Sequence, residues 1–162
     1  MATTRRPAPS RLQAELHQAA RFHSAQQEGA IGIVRTADVL KRRFVALVEA
    51  HGISGQQFNV LRILRGAEPD GLCRNELRDR MLSRMPDMTR LLDRMEESGL
   101  VTRERGDRDR RLVRTNITPR GLEILAELDD KVVAEHERAL GHLTDDQLRT
   151  LIALLTLARG PS

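Results

Sequence analysis

Near Gly99 the hydrophobic period of this chain switches from that of a helix to that of a strand. Upstream, Met88, Leu91, Leu92 and Met95 recur at i, i+3, i+4 and i+7, the spacing of one helix face. Asp87, Thr89, Arg90, Asp93, Arg94 and Glu97 fill the remaining faces. The spacing predicts an amphipathic helix over 86–98, with Gly99 as its stop. Downstream, 100–105 and 111–117 are short β-prone runs around Gly106-Asp107-Arg108-Asp109-Arg110. They alternate poorly, but two such runs about a Gly-Asp turn predict a hairpin.

Helical spacing governs the chain on either side. Residues 1–9, rich in Thr, Arg and Pro, read as a flexible tail. Ser10 is placed to cap a helix over 11–27, after which Gly29 and Gly32 should loosen the chain. From Ile33 a stronger helix carries Ile33, Ala37, Leu40, Phe44, Leu47 and Val48 on one face, with Gly52 as its stop. Ser54 and Gln57 have capping-box spacing, and Phe58, Leu61, Ile63 and Leu64 follow. The stretch Pro69-Asp70-Gly71 marks a turn before a short helix over 74–81. After the hairpin, Thr118-Pro119 opens a helix running to Leu140. Thr144 and Gln147 repeat the capping box before a last helix with Leu148, Leu151, Ile152 and Leu155.

Composition narrows the fold class. The 162 residues suffice for one domain with a sizeable core. Three Phe and no Trp or Tyr leave that core to aliphatic residues and Met, which favours packed helices over a β-sandwich. The expected fold is therefore mainly α with one small β-hairpin. No apolar run approaches the roughly 20 residues a bilayer span needs, and the basic N-terminus lacks the apolar region of a secretory signal. A single cysteine, Cys73, gives no internal disulfide and suits a reducing cytoplasm. The net charge of +4 says little, but its distribution says more. Residues 72–120 carry 13 arginines against 9 carboxylates, while 121–162 carry 4 basic against 8 acidic side chains. A basic middle before an acidic end points to a polyanion partner for the middle.

A short helix-turn-helix followed directly by an arginine-rich hairpin is the arrangement of a winged helix. A helix fits the major groove and can present its polar face to base edges. A wing can lower guanidinium groups into the adjacent minor groove. The stretches ISGQQFNVLRIL (53–64), MTRLLDRMEESGLVTRER (88–105), GDRDRR (106–111) and ITPRG (117–121) together resemble the MarR (multiple antibiotic resistance regulator) family. The resemblance is close over the central seventy or so residues and only a matter of pattern in the outer helices.

The resemblance implies a DNA-binding regulator and not an enzyme, acting without a cofactor. It implies a homodimer whose N-terminal helices (10–52) and C-terminal helices (119–160) interlock around winged helix-turn-helix lobes (53–118). The pair would read a pseudo-palindromic operator in double-stranded DNA. Asp87, Thr89, Arg90 and Arg94 are then the DNA-facing candidates on the recognition helix, and Arg108, Arg110 and Arg111 those of the wing. Asp109 would stabilise the wing by pairing with a neighbouring arginine. Repression released by a small aromatic or phenolic effector is the expected mode of action.

Bland readings stand beside these. Arg90 and Arg94 lie close enough to Asp87, Asp93 and Glu97 to be solvated ion pairs. Met81, Met85, Met88 and Met95 read as core packing. Cys73 could sense oxidants at a helix start, and a winged helix could serve as a protein-interaction module, although a basic hairpin tip is not what such an interface needs. His17, His23, His51, His136 and His142 are scattered, and His136 and His142 are too far apart for one helical face, so no metal site is predicted. No glycine-rich phosphate loop, nucleophile elbow or HExxH motif occurs.

Overall fold

A computed structural model describes residues 10–84, 86–105 and 113–160. The chain divides into two compact units, one ending at Arg42 and the other starting at Arg43. In the first unit α1 (Arg11–Glu15) is capped by Ser10, whose hydroxyl accepts from the Gln13 N–H at 3.2 Å. The helix expected over 11–27 stops at Glu15. The Gln13 side-chain amide, which is buried, donates to the carbonyls of Gln18 and Ala20 at 3.3 and 3.1 Å. Those bonds stabilise a loop where helical bonds would otherwise form.

The next helix, α2 (Ala25–Glu49), begins eight residues before Ile33 and passes through Gly29 and Gly32. Ser24 explains the early start. Its hydroxyl accepts from the Gln27 N–H at 3.1 Å, and Gln27 Oε1 accepts from the His23 N–H at 2.6 Å. A cap of this kind is worth about 1 kcal/mol, comparable with the cost of one helical glycine. Leu12 lies over Gly32. The expected apolar face of α2 is only half right. Val48 is buried and Leu40, Phe44 and Leu47 are partly buried, whereas Ile33 and Ala37 are exposed.

The second unit holds the core. Helix α3 (Gly55–Arg65) starts in the expected capping box, with Ser54 and Gln57 exchanging bonds of 2.8 and 3.2 Å. It buries Phe58, Val60, Leu61 and Leu64. After α3 the chain forms β1 (Leu72–Cys73), α4 (Arg74–Arg80), α5 (Met88–Glu97), β2 (Val101–Arg105) and β3 (Val113–Ile117). The long α6 (Pro119–Leu140) and α7 (Asp145–Ala158) follow, capped as expected by Thr118 and Thr144.

The hairpin is the larger part of a three-stranded antiparallel sheet in the order β1-β3-β2. Val101 pairs with Ile117 and Arg105 with Val113, while Leu72 pairs with Thr115 and Cys73 with Arg114. Two residues are too few to show a strand period, so β1 escapes a search for alternation. Leu61, Leu64, Leu77, Met95, Val101, Leu125 and Leu128 are fully buried, joining α3, α4, α5, β2 and α6 around one core. Each such side chain contributes on the order of 1.5–3 kcal/mol by leaving water. Gly121, near the start of α6, fits against the Leu100 carbonyl: a Cβ there would come within 2.7 Å of that oxygen.

Candidate nucleic-acid interface

Helices α4 and α5 and the β2–β3 hairpin form one surface because the core holds the buried side of each. Leu77 anchors α4, and Met88, Leu91, Leu92 and Met95 anchor α5, along the stripe that the spacing predicts. The turn between the helices is fixed from below, where Asn59 Oδ1 on α3 accepts from the Leu82 N–H at 3.0 Å. Of the four methionines, Met88 and Met95 are buried and Met81 packs against the core; Met85 lies outside the described residues.

The helix anticipated over 86–98 begins at Met88. Pro86 and Asp87 form a turn, and Asp87 is its N-cap, with Oδ1 accepting from the Arg90 N–H at 2.9 Å. An acidic cap satisfies an otherwise unpaired amide and complements the positive end of the helix dipole. Thr89, Arg90 and Arg94 are exposed on the far side of α5 from the core. Arg94 Nε donates to the Arg90 carbonyl at 3.3 Å, and the side chain of Arg90 has no partner among the described residues. The ion pairs that Arg90 and Arg94 might have made with Asp87, Asp93 and Glu97 are absent among the described residues.

Asp93 and Glu96 turn instead to β2. Arg103 places Nη1 2.7 Å from Asp93 Oδ1 and Nη2 2.5 Å from Glu96 Oε2. The hydrogen bond to Glu96, more than that to Asp93, raises the affinity of Arg103 for its proton against the opposing effect of burial. Arg103 is thereby a strut between strand and helix. Arg114 has a similar role, since its Nη1 donates to the carbonyls of Asp70 and Gly71 at 3.2 and 3.1 Å.

The wing candidates Arg108, Asp109, Arg110 and Arg111 lie outside the described residues. The described strands set where that segment starts and returns, after Arg105 and before Val113, in continuous antiparallel register.

Sequence reasoning passed over Arg74. This first residue of α4 is exposed, and its Nη1 donates to Thr89 Oγ1 at 3.1 Å, tying the two helices together. The local sequence carries no signal for it, because its partner Thr89 lies fifteen residues along the chain. A cleft of about 360 Å³ opens beside it, lined in part by Cys73, Asn75, Leu92 and Thr115. Cys73 is the N-cap residue of α4, and its N–H donates to Glu76 at 2.7 Å. That bond, the largest influence on Glu76, lowers the carboxyl below its ordinary range.

Two of the histidines are engaged locally. His51 sets Nδ1 3.0 Å from the Leu47 carbonyl and Nε2 2.8 Å from Lys131 Nζ, and His136 stacks on Phe44 at 6.4 Å. Among the described residues no group of three or more His, Cys, Asp or Glu could hold a metal ion. Among them, too, no helix is long and apolar enough to cross a membrane.

Comparison with known proteins agrees with this arrangement. The sequence profile of the MarR family matches residues 51–112, spanning α3 to the hairpin. The crystal structure of a MarR transcription factor from Planctomyces limnophilus is 40% identical, with a TM-score of 0.65, covering 85% of this chain and 99% of that one. A mutant MarR from E. coli, crystallised with operator DNA, is 26% identical with a TM-score of 0.73, covering 82% and 93%. The homoprotocatechuate degradative operon repressor of Escherichia coli is 25% identical over 125 residues, 77% of this chain and 83% of that protein. This chain belongs to the MarR family, whose members are winged-helix transcription regulators and not enzymes.

Proposed function

We propose that the protein is a cytoplasmic homodimeric repressor that grips a pseudo-palindromic operator through α5 and the wing and is released by a small aromatic or phenolic anion. The observation that carries the DNA reading is the split of charges around α5. Three of its four carboxylates, Asp87, Asp93 and Glu96, are drawn into a cap and into Arg103, which leaves Thr89, Arg90 and Arg94 exposed with Glu97 as the one carboxylate beside them at the C-terminal end. A helix so neutralised on its flanks presents donors and positive charge to the major groove. The E. coli relative crystallised with operator DNA supports the same reading. Arg108, Arg110 and Arg111 supply the minor-groove grip, with Asp109 bracing the wing.

The dimer reading rests on α7. This helix carries six Leu and Ile residues, and none of them is buried within the single chain. Ile152, Leu154 and Leu157 are 63%, 58% and 76% exposed. Leaving so much apolar surface in water is unfavourable, and a second copy would cover it. Two lobes then address half-sites about one helical turn apart. A ligand that favours another lobe spacing lowers affinity by shifting the population of dimers. The likeness to a repressor of a degradative operon for a phenolic acid supports both the mode and the effector class.

Footprinting on the DNA upstream of the protein's own gene tests this, with and without simple phenolic acids. The proposal predicts a protected, two-fold symmetric site that the phenolic acids release. Protection indifferent to every phenolic acid would sink the effector reading and leave DNA binding standing.

A further inference from the structure

We propose that Arg74 is a phosphate-binding residue of the DNA interface, held in place by Thr89. The proposal rests on reading the α4–α5 surface as the DNA-contacting one. It adds a guanidinium from the first helix of the pair, outside the recognition helix and the wing.

The arginines of this lobe divide by what occupies them. Arg103 is taken up by Asp93 and Glu96, Arg78 by Asp79, and Arg114 by the Asp70 and Gly71 carbonyls. Arg74 has none of these constraints. Among the described residues it makes no ion pair, and its one hydrogen bond goes to a neutral hydroxyl, Thr89 Oγ1, at 3.1 Å. A guanidinium has five N–H donors, so with one engaged by Thr89 four remain open to another acceptor. The exposed side chain keeps its full positive charge, and nearby carboxylates do not cancel it by contact.

Position decides what that charge meets. In a helix-turn-helix the second helix enters the major groove while the first crosses the sugar-phosphate backbone. Arg74 begins the first helix, α4, and touches the first turn of the second, α5, at Thr89. A side chain spanning that junction lies where the groove edge runs when α5 is inside the groove. The acceptor there is a phosphodiester oxygen, which a planar guanidinium can grip with two parallel N–H bonds.

The bond to Thr89 has a second effect. The bond from Arg74 takes up one lone pair of Oγ1, and the threonine hydroxyl still has its own proton to donate, so the pair offers several donors to the acceptor-rich DNA surface. Thr89 is thus a positioning residue for Arg74 in addition to its own place on α5. Phosphate contacts carry no sequence information and depend steeply on salt. The signature of Arg74 is therefore uniform across sequences.

The test is fluorescence anisotropy of the full chain with a random-sequence duplex and with its own upstream DNA, over a series of salt concentrations. Arg74→Ala should weaken both complexes by the same factor, about tenfold, and reduce the salt slope by about 1. Arg74→Lys, which keeps the charge, should retain most of the slope, and its thermal melt should match the wild type. Thr89→Val should lose affinity, and adding Arg74→Ala to it should cost less than the product of the single effects. Wild-type slope and affinity in Arg74→Ala, with the wild type binding normally, would overturn the assignment of Arg74 alone. A wild type that fails to bind random duplex even at low salt would overturn it together with the DNA-binding reading. Equal loss in Arg74→Ala and Arg74→Lys would also overturn it, because charge would then not be what the residue supplies.

Discussion

Arg103 on β2 forks onto α5, with Nε and Nη2 2.8 and 2.5 Å from the same Glu96 Oε2 and Nη1 2.7 Å from Asp93 Oδ1. Three charge-assisted contacts join β2 to α5, so strand and helix are held as one body. The network also removes two carboxylates from the neighbourhood of Arg90 and Arg94.

Arg103→Ala should therefore lower stability modestly and DNA affinity more than stability alone explains. The expected loss is no more than about 1 kcal/mol in urea denaturation, since the partners are partly exposed. Affinity for random duplex should fall as well, because Asp93 and Glu96 regain their unpaired charge. Unchanged affinity in Arg103→Ala would show that the strut is dispensable for binding.

Arg65 of α3 holds Asp129 of α6 through two bonds of 2.7 and 2.9 Å, and this hydrogen bonding, ahead of any other influence, lowers the Asp129 carboxyl below its ordinary range. A depressed acid contributes stability that is present above its unfolded value, near pH 3.9, and is lost as pH falls through the folded one. Asp129→Asn should flatten the acid limb of the stability curve below about pH 4 and change its slope little near neutrality. Urea melts across that range check this.

Gly121→Ala tests the close approach of α6 to the sheet. The new Cβ would lie 2.7 Å from the backbone oxygen of Leu100 and 3.0 Å from Leu61 Cδ2. Backbone cannot yield cheaply, so a loss of about 1–3 kcal/mol is expected although alanine favours helices. A stabilised variant in thermal melts would contradict the packing described.

Leu154→Glu should convert the protein towards monomer in sedimentation analysis and abolish tight operator binding. It places a charge on a side chain already 58% exposed in one chain, so nothing within that chain requires its burial. A variant that stays dimeric would remove α7 from the interface.

Much of this was legible because it is local. Ser54 with Gln57, Thr118 with Pro119 and Thr144 with Gln147 announce helix starts through bonds between near neighbours, and all three appear in the structure. The same device at Ser24 and Gln27 falls inside the stretch 11–27 whose spacing predicts one helix, so it does not stand out as a start. What stayed hidden depends on distant partners. Nothing in the local sequence shows that Arg103 serves Glu96 or that Arg114 serves the carbonyls of Asp70 and Gly71, because those partners are distant along the chain. Arg74 shows the reverse, since its value lies in Thr89, fifteen residues along the chain. The strand β1 needed β3 to define it, because only pairing with Thr115 and Arg114 makes Leu72 and Cys73 a strand.

In the proposed function α5 reads sequence while the wing supplies general affinity. Anisotropy titrations of Arg90→Ala and Arg111→Ala against the footprinted operator and a random duplex, over a range of salt, test it most directly. Arg90→Ala should erode the preference for operator by about 1–3 kcal/mol and leave random binding nearly intact. Arg111→Ala should weaken both complexes alike and lower the salt slope by about 1. Wild-type preference retained in Arg90→Ala, together with a wild-type salt slope in Arg111→Ala, would contradict the account.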